Sequence, residues 1–215
     1  MIDPANITKF NRTREELEEL ALFATLVAGK PAGRTARLLE NFLNNSRLAL
    51  GYDLTPFELV RTWVRLGRLE QQLRRYGTGQ YDRLVRCWTQ LTALVPARMG
   101  HSTMMEYAVP LGDVRALGQV HGIGPKTARF IVLHSVRGAR CVPIDTHWLK
   151  ELRERGYDIK VPSSDNGQVS MTRLQYERYE QHALEVVDRT GLTVAEADLM
   201  IWRKWNARGN ARLAA

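Results

Sequence analysis

The chain has 215 residues, 44% of them hydrophobic and 25% charged, which suits one good-sized core or two small lobes and excludes wholesale disorder. Lysine and arginine number 31 against 23 acidic residues, a formal net charge of +8. Arginine carries most of that excess, and its forked guanidinium matches phosphate; a solvated basic surface is the plain alternative.

Nearly every segment reads as helix. "TREELEELALFATLVA" opens on a capping box, Thr13 to Glu16, runs through Leu17, Leu20, Phe23 and Leu26, and stops at "GKPAG". "RTARLLENFLNNSRLAL" sets Leu38, Leu39, Phe42 and Leu43 on one side. "TPFELVRTWVRL" has Thr55 as its cap and Pro56 at the first helical position. "YDRLVRCWTQLTALV" and the stretch around "MMEYAVPLGDVRALGQV" continue the pattern. Residues 161–170, "VPSSDNGQVS", read as a loop by composition, two further helices follow, and "ARGNARLAA" reads as a frayed basic tail. Alternating strand signals are almost absent and no solenoid-like repeat is found, so the expected fold class is all-α.

The most informative stretch is "VHGIGPKTARFIVLH", 120–134. Gly122 and Gly124 suit a tight corner, and Pro125 fits a first helical turn, where its missing N–H costs nothing. The remaining first-turn N–H groups and the positive end of the helix dipole form a socket for an anion such as phosphate. A simple glycine-capped helical hairpin would explain the corner equally well. Lys126 argues for more, because a cation sits at the disfavoured end of the dipole there. That position, and desolvation by a bound partner, favour the neutral amine, which attacks electrophilic carbon and forms a Schiff base. Further along, Asp145 in "CVPIDTHWLKEL" fits a helix N-cap, where backbone N–H groups hold a carboxylate ionised. The intervening helix has the length to return the second corner towards the first.

"LGQVHGIGPKTARFIVLH" followed by "VPIDTHWLKEL" resembles the helix-hairpin-helix signature of the DNA glycosylase superfamily, the group of endonuclease III and the 8-oxoguanine glycosylases. The match spans 113–152: the hairpin glycines fall on Gly122 and Gly124, the lysine on Lys126 and the aspartate on Asp145. The resemblance implies two helical lobes with the active site in the cleft between them. The middle lobe would cover roughly 30–140, with the helix-hairpin-helix at 113–133. The N-terminal helix and 145–215 would form the second lobe, all of it one glycosylase unit.

It also implies roles. His121, Gly122, Ile123, Gly124 and Thr127 would bind a DNA phosphate through the corner, with Lys30 and His147 as further contacts. A monovalent cation bridging hairpin carbonyls belongs to the same picture. Asp145 would stabilise positive charge on the sugar, and Lys126 would attack C1′, expel the base and allow β-elimination. Three departures stand out: His121 replaces the usual proline, the endonuclease III cluster cysteines are missing, and the "VAGKPAG" corner lacks the glutamine turn that fills the gap behind a flipped base.

The only cysteines, Cys87 and Cys141, sit in no CxxC or Cys/His spacing, which excludes a structural zinc or a four-cysteine iron–sulfur cluster on ligand count. No cofactor or resident metal is therefore expected. The N-terminus lacks a signal peptide's apolar stretch, and no segment approaches the ~18 apolar residues of a membrane span. The expectation is an intracellular monomer, cytoplasmic and nucleoid-associated, that binds double-stranded DNA and no membrane. It would excise a damaged or modified base, with associated lyase activity. Two alternatives stay open: a monofunctional glycosylase for an enzymatically modified base, and a non-catalytic helix-hairpin-helix binding module. Trp63, Trp148, Trp202, Trp205 and Tyr179 are candidates to stack on a flipped base, though core positions are commoner for such residues. His134 and His182 read as structural.

Overall fold

A computed structural model describes residues 2–94, 103–160 and 171–213, with side chains described as far as Ala207. Among these residues it is all-α, with eleven α-helices, one short 3-10 helix (Pro4–Asn6) and no strand. The predicted loop at 161–170 lies outside the described residues. The chain divides into two compact units, Met1–Val136 and Arg137–Ala215.

The first unit holds α1 (Arg14–Leu26), α2 (Ala32–Leu50), α3 (Pro56–Arg65), α4 (Leu69–Arg75), α5 (Tyr81–Leu91), α6 (Met104–Ala108), α7 (Val114–Leu117) and α8 (Pro125–Leu133). Its starts are written locally. Thr13 with Glu16 forms the reciprocal capping box that the sequence predicts, and Thr55, predicted as a cap, forms a second box with Glu58. At the centre, α1 buries Leu20, Leu22, Phe23 and Leu26 and packs on α2, α3, α5, α6 and α8. This unit boundary places the N-terminal helix with residues 1–136, whereas the sequence reading groups it with 145–215; its apolar face is spent on the helices that follow it.

Several polar groups inside this core are paired. Trp88 Nε1 donates to Thr25 Oγ1 at 2.9 Å, and the Trp88 ring meets Phe42 edge-on with centroids 5.4 Å apart. The carboxylate of buried Glu18 accepts the Phe57 N–H at 2.9 Å, supplying the first turn of α3 with an acceptor across 39 residues of chain. Trp63 is also core, its Nε1 donating to Ser46 Oγ at 2.9 Å. His134 is fully buried, with Nδ1 2.8 Å from Thr8 Oγ1, which makes it structural as expected.

The second unit holds α9 (Thr146–Glu154), α10 (Arg173–Asp188) and α11 (Val194–Leu213). Here α9 packs on both α10 and α11. Buried Glu151 ties α9 to α11, accepting from Lys204 at 2.6 Å and from Trp205 Nε1 at 3.1 Å, while Arg155 Nε donates to its other oxygen at 2.8 Å. Burial alone would raise this carboxyl's pKa; the hydrogen bonds outweigh it and hold the group below its ordinary value. Trp148 and Tyr179 are buried in this core, whereas Trp202 and Trp205 are only partly so. The expected frayed tail is instead helical to Leu213, Gly209 included, as a continuation of α11. No described helix is long and apolar enough to cross a membrane.

Candidate active site

Residues 120–123 form the corner. The Ile123 N–H donates to the Val120 carbonyl at 3.0 Å, and Gly122 has φ +79°. His121 is not among the residues with positive φ, so only the third turn residue is left-handed, which defines a type II turn with glycine where that geometry demands it. Gly124 then caps α8 in extended conformation, φ −85°, an angle any residue adopts. The expectation that both glycines serve backbone freedom therefore holds for Gly122 alone. At Gly124 the reason is space: an added Cβ would meet nothing within 4 Å, so the backbone there stands open.

Pro125 is the first residue of α8 and brings no N–H of its own. Among the described residues the N–H groups of Lys126 and Thr127 have no hydrogen-bond partner, and no side chain caps this helix. Exposed His121 and Gly122, buried Ile123, exposed Gly124, half-buried Lys126 and buried Thr127 thus lie together, around unspent donors at the positive end of a helix. The geometry suits an anionic oxygen. The Lys126 ammonium lies 5.1 Å from the centroid of the Phe130 ring one turn on.

Lys30 follows the end of α1 and is half-buried. Its ammonium donates to the Leu26 carbonyl at 3.0 Å and the Thr78 carbonyl at 2.5 Å, which closes the end of α1 onto the α4–α5 loop. Burial, with the like charge of Arg83, pushes its pKa below the ordinary lysine value. Lys30 serves as a helix cap here and not as a free surface cation.

Sequence reasoning missed three α5 residues beneath the corner. Arg83 donates through Nη1 to the Gly122 carbonyl at 3.2 Å, through Nη2 to the Thr25 carbonyl at 2.6 Å, and through Nε to Gln80 at 2.8 Å. Gln90 Oε1 accepts the His121 N–H at 2.7 Å. Between them, Cys87 Cβ lies 3.4 Å from where a Cβ on Gly122 would stand. Burial raises the Cys87 thiol to about 11, against the pull of Arg83 and Thr25, so it is a neutral packing group at pH 7. The signal for these residues was their spacing on one face of α5, but spacing does not say which element that face meets.

A cation bridging the hairpin carbonyls was part of the resemblance. At Gly122 the carbonyl already accepts from a guanidinium, and a metal ion there would face a like charge, so this oxygen does not suit one.

The glycines make opposite predictions. Gly122→Ala is expected to lose about 1–2 kcal/mol to the left-handed angle alone, with its Cβ also 3.3 Å from Arg83 atoms, so its melting temperature drops. Gly124→Ala is expected to melt close to wild type while binding phosphate-bearing ligands more weakly, because its methyl fills only the open approach. Paired thermal melts and duplex titrations check both.

In the second unit, Asp145 is the N-cap of α9, and its Oδ1 accepts from the His147 N–H at 2.8 Å and the Trp148 N–H at 3.0 Å. The half-buried His147 side chain carries a buried Nδ1 without a hydrogen-bond partner among the described residues.

The fold has known counterparts. It is similar to the 8-oxoguanine glycosylase/lyase of Methanocaldococcus jannaschii, solved with DNA containing 8-oxoguanine, at a TM-score of 0.65 and 20% identity over 89% of this chain and 81% of that one. It is likewise similar to the 8-oxoguanine DNA glycosylase of Thermotoga maritima, at a TM-score of 0.64 and 18% identity over 88% and 79% of the two chains. The chain shares the fold of these two proteins. No family model matches the sequence, and no curated protein matches it.

Proposed function

We propose that the protein is a DNA glycosylase with lyase activity, acting on duplex DNA and taking an oxidised purine such as 8-oxoguanine as its base. The observation that carries this reading is the corner at 120–127. It sets open donors for a phosphate beside a lysine, on a fold shared with two 8-oxoguanine glycosylases.

In this reading the base leaves the stack so that C1′ is reached. A strand phosphate rests on the N–H groups of Lys126 and Thr127. The Lys126 amine attacks C1′; the N–C1′ bond forms as the glycosidic bond breaks, and its electron pair leaves with the base. Loss of the amine proton and ring opening give the Schiff base, and removal of a C2′ proton then expels the 3′ phosphate. Asp145, held ionised and oriented by its helix, stabilises the positive charge that develops on the sugar. His147 belongs to the same end of α9 and contributes a DNA contact. The protein works as an intracellular monomer without an iron–sulfur cluster.

The test is product analysis on a duplex carrying one 8-oxoguanine. Strand breaks without added base establish a glycosylase with lyase activity. Abasic sites that break only on alkali leave a monofunctional enzyme, and intact DNA that is nonetheless bound sinks the enzymatic reading for this base. Binding itself is expected to weaken steeply with salt, log K falling linearly with log salt at about 0.9 per phosphate neutralised.

A further inference from the structure

The replacement of the usual proline by His121 has a physical consequence inside the first unit. Proline brings no N–H to a type II turn, whereas His121 brings one that can tie the turn to a neighbouring acceptor. Gln90 Oε1 supplies it at 2.7 Å. Three residues of α5, Arg83, Cys87 and Gln90, recur at i, i+4 and i+7 and so share one helical face. All three meet the corner: Gln90 takes the N–H before Gly122, Arg83 gives to the carbonyl of Gly122, and Cys87 packs beneath its α-carbon. Arg83 also spans to the Thr25 carbonyl at the end of α1 and to Gln80 at the start of α5, so its guanidinium is fixed by three acceptors.

We infer that Arg83 and Gln90 are positioning residues that clamp the hairpin in its phosphate-receiving shape, Gln90 standing in for the rigidity of the absent proline and Arg83 supplying the positive charge at the hairpin carbonyl. The inference rests on the DNA reading above for the identity of the phosphate, but the clamp itself is a property of the free protein. It leaves the donors of Lys126 and Thr127 untouched while holding the residues that lead into them. It also explains the tight fit at Gly122, where a Cβ would sit 3.3 Å from both Cγ and Nη1 of Arg83.

The test is a mutant cycle read two ways: amide hydrogen exchange at Ile123 and Ala128 in the free protein, and affinity for a duplex carrying a tetrahydrofuran abasic-site analogue. Gln90→Leu leaves the His121 N–H without its acceptor, and we expect faster exchange at both amides with affinity weakened roughly tenfold. Adding His121→Pro removes the orphaned donor and suits the second position of a type II turn, so the double variant regains both wild-type exchange and affinity. Arg83→Met weakens binding as well, and His121→Pro does not restore it, because the Gly122 carbonyl still lacks its donor. Arg83→Lys recovers part of the charge but not the fork, and serves should the methionine variant fail to fold.

Wild-type exchange and affinity in both Gln90→Leu and Arg83→Lys would overturn the clamp. Failure of His121→Pro to rescue Gln90→Leu would overturn the pairing of Gln90 with the missing proline. Duplex affinity absent from the wild type, with exchange responding as expected, would sink the DNA reading while leaving the clamp standing.

Discussion

Lys126→Gln is expected to reduce borohydride trapping on an abasic-site duplex to background while changing duplex affinity only a few-fold. Borohydride reduces the iminium that joins amine to sugar, so the covalent yield reports the nucleophile itself. Glutamine keeps a polar side chain of similar length and similar helix propensity in the first turn of α8. In the first unit the ammonium's described contact is the Phe130 ring, worth about 0.5–1 kcal/mol at an exposed site, so the fold loses little. Affinity should fall by no more than one charge's share, with the salt slope lower by about 1.

The other lysines sharpen the test. Lys9 pairs with Glu16, Lys160 with Asp158, and Lys204 with Glu151 and Glu154, while Lys30 is held by two carbonyls. Lys150 and Lys204 both face the ring of Trp205, but Lys204 also has its two carboxylates, so among the described contacts Lys150 is the one that resembles Lys126. Undiminished trapping in Lys126→Gln would therefore reject the assignment and direct attention to Lys150. Loss of trapping together with loss of the fold, seen as a collapsed melt, would reject it on other grounds, because Lys126 would then be structural.

The hairpin was legible because its determinants are local. A positive φ at Gly122, a proline in the first turn of α8 and the reciprocal caps at Thr13 and Thr55 each follow from residues a few positions apart. Asp145 as an N-cap is of the same kind. Illegible were the groups whose partners lie far along the chain. Arg83 meets Gly122 across 39 residues and Gln90 meets His121 across 31, and nothing in the spacing of α5 names the hairpin as the object of that face. The bonds that Lys30 makes were illegible for the same reason, since its Thr78 acceptor lies 48 residues on. The tail misled, since "ARGNARL" has weak helix signals of its own yet continues α11.

Asp145→Asn is the sharper test of chemistry because it separates the helix cap that this carboxylate forms from the charge-stabilising role proposed for it. As an N-cap, asparagine is nearly the equal of aspartate, and its carbonyl oxygen still accepts from the His147 and Trp148 N–H groups. The melting temperature should therefore move little. What disappears is the negative charge that faces a sugar turning cationic, and removal of one such electrostatic partner slows the chemical step on the order of 10²–10³-fold. Asp145→Ala provides the contrast: it loses the cap as well, about 1 kcal/mol of stability, with a similar chemical defect. Single-turnover base release and thermal melts on the three proteins distinguish the cases. Release that is slow in both variants with only alanine destabilised marks Asp145 as acting on the sugar. Release at the wild-type rate in asparagine, with the alanine defect tracking its lost stability, would reduce Asp145 to a helix cap and leave the lysine to expel the base unaided.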